Sequence, residues 1–251
     1  MASLESDFRR RERRFAALGS RISPLRTYAL AALGGLVALV CAQTLLMPAA
    51  TPDARLLSVA FYAAATIAFG GLLRATYPHA ALGLCNVVTL GRLILVSALV
   101  TPLFFHATSA WLVVVLSGVV LVLDGIDGWL ARRDNLVSSF GARFDVEVDS
   151  AFALILALHV LLDGKAGAIV LLLGLVRYAF VLAGIALPWL NAPLPPRFGR
   201  KLVCVVQLTV LIALQLPFVT SPVSDLLVLA TIALVLWSFG RDILWLRRSR
   251  A

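Results

Sequence analysis

The chain has 251 residues, 61% of them hydrophobic and 14% charged, with a formal net charge of +9. Soluble domains carry roughly 25% charged residues, so a mean hydropathy of +0.97 excludes an ordinary soluble protein and leaves an integral membrane protein with room for roughly seven to nine spans. Nucleic-acid binding is excluded as the reason for the basic excess. No hydrophilic segment is long enough for a folded module with a basic face, and the arginines stand in short stretches between apolar runs, where they mark loops facing anionic lipid.

Residues 1–26 hold seven arginines and few apolar residues and read as a basic cytoplasmic tail, with a short amphipathic helix on the lipid surface. The apolar run after it is of full spanning length, so the tail reads as uncleaved rather than as a signal peptide. Eight apolar segments follow, at 27–47, 56–75, 86–105, 108–131, 142–162, 166–188, 200–218 and 223–243. Arginines at 9–26, Arg74, Arg132 with Arg133, Arg197 with Arg200 and Lys201, and those at 247–250 fall on one side of this array. The opposite loops carry Arg55 and Lys165 alone. The excess of positive charge on cytoplasmic loops places both termini and the end of the fourth span in the cytoplasm. The first two spans, with 27–81, read as an appended pair without visible functional residues, and 246–251 as a short basic cytoplasmic tail.

The three cysteines, Cys41, Cys85 and Cys204, are far apart in apolar runs and read as buried thiols rather than as a disulfide framework or zinc site. His159 reads as a core histidine, while His79 and His106 lie near the interfaces without a visible partner. Asp225 after Ser221-Pro222 reads as helix-start chemistry. Arg143 and Glu147 are four apart and are expected to pair along one helix.

Four aspartates break the apolar pattern: Asp124, Asp127, Asp145 and Asp149. A carboxylate in a span costs several kcal/mol unless a charge meets it. Asp124, Asp127, Gly128 and Ala131 share one helical face near the end of the fourth span, and Gly141, Asp145 and Asp149 make a stripe at steps of four on the fifth. The short loop 133–140 runs the two helices antiparallel with these faces opposed. Oxygen-only ligands favour Mg²⁺, Mn²⁺ or Ca²⁺ over zinc. Gly128 and Ala131 leave room for a substrate, and Arg132 is a fixed cation suited to phosphate. Together these point to metal-assisted phosphoryl chemistry on a lipid at the cytoplasmic face. Two other readings stand beside it: purely structural carboxylates, and an ion- or proton-coupled transporter, although transporters place such groups near the midplane on broken helices.

The arrangement Asp124-x-x-Asp127-Gly128-x-x-Ala131-Arg132, eight residues, then Gly141-x-x-x-Asp145-x-x-x-Asp149 resembles the complete signature of the CDP-alcohol phosphotransferases over about residues 82–245. The resemblance implies an all-α polytopic fold, a six-helix core with the two N-terminal spans outside it, and a homodimer in the plasma membrane. It implies transfer of a phosphatidyl group from a CDP-alcohol, foremost CDP-diacylglycerol, to a small alcohol with release of CMP. By the same resemblance Asp124, Asp127 and Asp145 ligate one or two divalent ions, Mg²⁺ or Mn²⁺, with Asp149 near the metal and acting as general base. Gly128, Ala131, Arg132 and Gly141 then line the CDP pocket. Asn86-x-x-Thr89-x-x-Arg92 resembles the family's Asn-x-x-Thr-x-x-Arg motif, which gives Asn86 and Thr89 to the nucleotide and Arg92 to a phosphate.

Arg177, inside the sixth span, is expected to pair with an aspartate or bind an acceptor phosphate. Gly199-Arg200-Lys201 resembles a Gly-Lys stretch of the family, which makes Arg200 and Lys201 further candidates for that phosphate. Val146 and Ser150 stand where bacterial phosphatidylglycerophosphate synthases show Pro and Lys. The Ser-Phe-Gly stretch of phosphatidylserine synthases is absent after Asp149. The acceptor therefore stays open among glycerol phosphate, an inositol phosphate, choline and other small alcohols.

Overall fold

The computed structural model describes residues 23–105, 108–134, 136–192 and 198–248. The amphipathic tail helix, the last residues of the basic C-terminus and His106 lie outside them. Among the described residues there are eight α-helices and no strand. They are α1 Pro24–Leu46, α2 Pro52–Thr76, α3 Gly83–Ala98, α4 Ala110–Arg133, α5 Ser139–Leu162, α6 Leu171–Ala186, α7 Phe198–Ala213 and α8 Val223–Arg248. Six stretches are long and apolar enough to cross a membrane, and the molecule is an all-helical multi-pass membrane protein. The other two helices fail that test for local reasons. Arg143, Asp145, Glu147 and Asp149 interrupt α5, and α7 has 16 residues.

Several boundaries follow from single residues. Ser23 and Thr51 cap α1 and α2, each accepting a backbone N–H from three residues on, with Pro24 and Pro52 at the first helical position, where a missing N–H costs nothing. Ser138 does the same for α5, its Oγ accepting from Gly141 N at 3.0 Å. The third apolar segment was expected to run to 105. It ends as an α-helix at Ala98 and continues as a 3₁₀ turn over Thr101–Leu103, because Pro102 supplies no donor to an α-helix. α8 runs to Arg248, five residues beyond the expected 243, as a helix can extend past the hydrocarbon into its basic flank.

Helix ends identify two ends of the bundle. The connection between α5 and α6 meets the end of α7: Lys165 Nζ donates to the carbonyls of Leu214, Gln215 and Leu216 at 2.9, 2.9 and 3.0 Å. Ser224, at the start of α8, donates to Lys165 O. Burial lowers the Lys165 pKa, with the Asp163 charge opposing that fall. His159 Nε2 meets Leu99 O at 2.9 Å, so it is the core histidine the sequence suggested, 4% exposed. The other end carries Arg74, Arg132, Arg133, Arg200 and Lys201, and is called the basic end below.

α5 lies at the centre. Phe140, Phe144, Phe152, Leu156, Ala157 and Val160 are fully buried, and the helix packs against α3, α6 and α7. A helix so enclosed can carry charges that the lipid-facing helices cannot. Lipid tails are as apolar as leucine, so close packing and hydrogen bonds hold these helices together rather than transfer out of water. The first two helices belong to this packing. Gln43 Nε2 donates to Thr101 Oγ1 at 3.0 Å and Ser58 Oγ to Ser97 O at 2.6 Å, so α1 and α2 are tied to α3. Gly35 makes the approach possible: a Cβ there would stand 2.2 Å from the Tyr62 hydroxyl and 2.9 Å from Ile94 Cδ1.

Two expectations are corrected. Cys41 is exposed rather than buried, because it lies on the outward face of α1. Glu147 pairs not with Arg143 on its own helix but with Arg177 on α6, Nη2 to Oε1 at 3.0 Å. An arginine midway along a span needs an anionic partner more than an arginine near a helix start does.

Candidate active site

Three helices build the site. α3 brings Asn86, Thr89 and Arg92, α4 brings Asp124 and Asp127, and α5 brings Asp145 and Asp149. Spacings of three and four keep each set on one face. The capped start of α5 and the five-residue loop after Arg133 bring the carboxylates of α4 and α5 to one point, and α3 packs against both helices. Asp124, Asp127 and Asp145 each offer a carboxylate oxygen, and these oxygens lie within 4.8 Å of one another. Burial is graded. The Asp127 side chain is 5% exposed, Asp124 15%, Asp149 16% and Asp145 39%, so the cluster opens past Asp145.

The cation at the centre of this group is Arg92, whose side chain is 1% exposed. Its Nη1 stands 3.0 Å from Asp124 Oδ1, 2.8 Å from Asp127 Oδ2 and 2.5 Å from Asp145 Oδ1, and its Nη2 bonds Asp149 Oδ1. Thr89 Oγ1 adds a contact to Asp127 Oδ2 at 3.0 Å. The sequence reading gave Arg92 to a phosphate and four carboxylates to metal, and missed that the two sets meet. The available signal was an arginine inside a span with no acid on its own helix. One guanidinium cannot balance four carboxylates. The remaining negative charge, the all-oxygen donor set and the 4.8 Å grouping fit a hard divalent ion such as Mg²⁺ or Mn²⁺.

The other candidates surround this core. Asn86 Nδ2 donates to Leu82 O and to the Tyr77 hydroxyl at 3.2 Å. A Cβ on Gly141 would stand 3.3 Å from Asn86 Oδ1 and 3.2 Å from Ser138 Oγ, so any side chain there would press on both. Gly128, Ala131 and Arg132 continue the Asp124–Asp127 face toward the basic end. Arg132 is exposed, with Nη1 3.5 Å from where a Gly128 Cβ would stand, so the guanidinium reaches back over the glycine. α7 passes on another side, where Cys204 is within electrostatic range of Asp149, Asp124 and Asp145. One turn toward the basic end Arg200 pairs with Asp242 of α8 at 2.9 Å, and exposed Lys201 follows it. Asp242, 6% exposed, was missed by sequence reasoning, although a carboxylate opposite a basic turn is itself a signal. Arg177 is not brought to the aspartates, since it holds Glu147 on the far face of α5.

What the arrangement can do chemically is hold cations and phosphate oxygens beside a carboxylate able to take a proton. Searches of curated proteins and of solved structures return no match. The family model described as CDP-alcohol phosphatidyltransferase matches residues 82–242, a stretch that runs from the residue before α3 into the last turns of α8 and contains all seven of the polar residues at the centre. By that match the chain belongs to the CDP-alcohol phosphatidyltransferase family.

Proposed function

We propose that the protein transfers a phosphatidyl group from CDP-diacylglycerol, or a related CDP-alcohol, to the hydroxyl of a small alcohol, with release of CMP. The observation that carries this reading is the convergence of Asp124, Asp127 and Asp145 from two helices inside the stretch that matches the family. Asp124, Asp127 and Asp145 would hold one or two divalent ions, which supply positive charge to the phosphate oxygens when bound. Asp149, one turn beyond Asp145 on the same face, takes the proton of the acceptor hydroxyl. The acceptor oxygen forms a bond to the phosphorus that bears the lipid alcohol, and the bond from that phosphorus to the CMP oxygen breaks with its electron pair. Gly128 and Ala131 leave space beside the carboxylates, and Arg132 pairs with the diphosphate at the basic end. Asn86, Thr89 and Gly141 flank the cytidine side.

Arg200 and Lys201, at the start of α7 and the basic end, suit an acceptor that carries its own phosphate, with Asp242 orienting Arg200, and Arg177 has less claim because it holds Glu147 on the far face of α5. The basic end faces the cytoplasm in this reading, the membrane is the plasma membrane, and the active form is a homodimer. A transporter reading loses support from the helices themselves, because α4 and α5 are unbroken through all four aspartates where transporters interrupt them.

The test is CMP release in proteoliposomes holding CDP-diacylglycerol, Mg²⁺ or Mn²⁺, and a panel of glycerol phosphate, inositol phosphate and choline. Turnover is expected with one acceptor, is lost on chelation, and falls by about 10²–10⁴-fold in Asp149→Asn. Folded wild-type protein that releases no CMP with any acceptor would overturn the proposal.

A further inference from the structure

Arg92 and a divalent ion want the same place. Nη1 lies 2.5 to 3.0 Å from an oxygen of Asp124, Asp127 and Asp145, and those three residues are the ones whose oxygens group within 4.8 Å. An ion ligated by three such oxygens sits about 2.0–2.2 Å from each, which is inside the volume that Nη1 fills. Two positive centres cannot share it. The guanidinium is not locked there by all its donors, because its buried Nε has no hydrogen-bond partner among the described residues. The Asp149 contact uses the other terminal nitrogen, Nη2. A turn of the guanidinium that withdraws Nη1 therefore need not break it.

We propose that Arg92 is the internal counter-cation of the metal-free protein, and that a divalent ion enters the three-carboxylate site by displacing its Nη1. Metal loading is then an exchange of one cation for another rather than the filling of an open site. The exchange has two effects of opposite sign. Arg92 holds four mutually repelling carboxylates together when no metal is present, and it lowers the affinity for metal by occupying the ligand oxygens. The inference rests on the metal site of the proposed reaction, but its readout is metal binding and folding, without substrate.

Wild type, Arg92→Gln and Arg92→Lys would be purified in lipid nanodiscs, stripped with chelator and titrated with Mn²⁺ by calorimetry and by thermal unfolding. Arg177→Gln serves as a remote intramembrane control. Removing the competing charge at contact distance should tighten Mn²⁺ binding in Arg92→Gln by about tenfold or more, with Arg92→Lys between it and wild type and Arg177→Gln unchanged. In chelator, Arg92→Gln should unfold at a lower temperature than wild type, and saturating Mn²⁺ should close that gap. If Arg92→Gln folds only when Mn²⁺ is supplied, the exchange is supported in the same way. Equal or weaker Mn²⁺ binding in both Arg92 variants, each folded, would overturn the proposal, because arginine and metal would then occupy separate places. CMP release that fails while this exchange holds would sink the transfer reaction alone.

Discussion

At the scale of single residues, the Glu147–Arg177 pair shows what an intramembrane charge demands. Each side chain is about one third exposed, 37% for Glu147 and 33% for Arg177, and each lies more than a turn inside its helix. Removing one partner leaves an uncompensated charge facing lipid, whereas removing both leaves two apolar surfaces. Glu147→Leu alone should therefore lower stability by about 1–3 kcal/mol, and Glu147→Leu with Arg177→Leu by less. Thermal unfolding of both variants in one lipid checks this, and a double variant no better than the single one would show that the pair does not couple. The acidic residues of the site were legible because aspartate in a span is rare and their spacing repeats a helical face. Their partner was not, because no sequence rule says which of several intramembrane arginines points inward. Arg92 and Arg177 look alike in the chain. One is surrounded by four carboxylates, and the other holds a single glutamate on the opposite face of α5.

At the scale of helices, the spans could be read from composition, and their ends less well. Eight apolar segments correspond to eight helices, since length and hydropathy suffice for that. The early end of α3 at Ala98 and the long reach of α8 depend on local chemistry, Pro102 in one case and a basic flank in the other. What escaped sequence reasoning was the coupling of α1 and α2 to α3, because Gln43 and Ser58 look incidental in long apolar runs. Yet both are fully buried: Ser58 meets the far end of the helix that carries Arg92, and Gln43 meets the 3₁₀ turn that continues it. Gly35→Leu should force the Tyr62 ring and Ile94 apart from α1 and cost about 1–3 kcal/mol by overpacking, read as a lower unfolding temperature in detergent. Gly34→Leu, next in the chain with nothing within 4 Å of its Cβ position, should be close to neutral. Equal effects at both positions would mean that α1 does not pack as described.

At the scale of the whole molecule, most of the arginines in the connections collect at one end, the end at which the carboxylate cluster opens. The positive-inside bias turns that asymmetry into an orientation. In a background without Cys41, Cys85 and Cys204, an impermeant maleimide applied to intact cells should label Asp163→Cys and leave Arg133→Cys unlabelled until the membrane is opened. The reverse pattern would place the basic end outside and the proposed chemistry on the wrong side for a cytoplasmic nucleotide. The all-helical class and the acidic pair of helices were readable because they rest on periodicity and composition. Which helix closes the third side, and which end is fastened, depend on contacts between residues far apart in the chain, from 35 positions for Arg92 and Asp127 to 59 for Lys165 and Ser224.

The fastening at the end opposite the carboxylates has a mechanical consequence. Lys165 ties the α5–α6 connection to the carbonyls of the turn that follows α7, and Ser224 ties the first turn of α8 to Lys165. At the basic end the two helices meet through the Arg200–Asp242 pair, and midway along α7 Gln207 Nε2 donates to Leu173 O of α6 at 2.6 Å. α7 is therefore a lever fastened most heavily at one tip. Sixteen residues at about 1.5 Å each give an arm of roughly 24 Å, so a tilt of a few degrees about the Lys165 pivot swings Arg200 outward by about 2 Å. A gap through which a lipid could slide sideways to the carboxylates would open there, at the tip where the displacement is greatest.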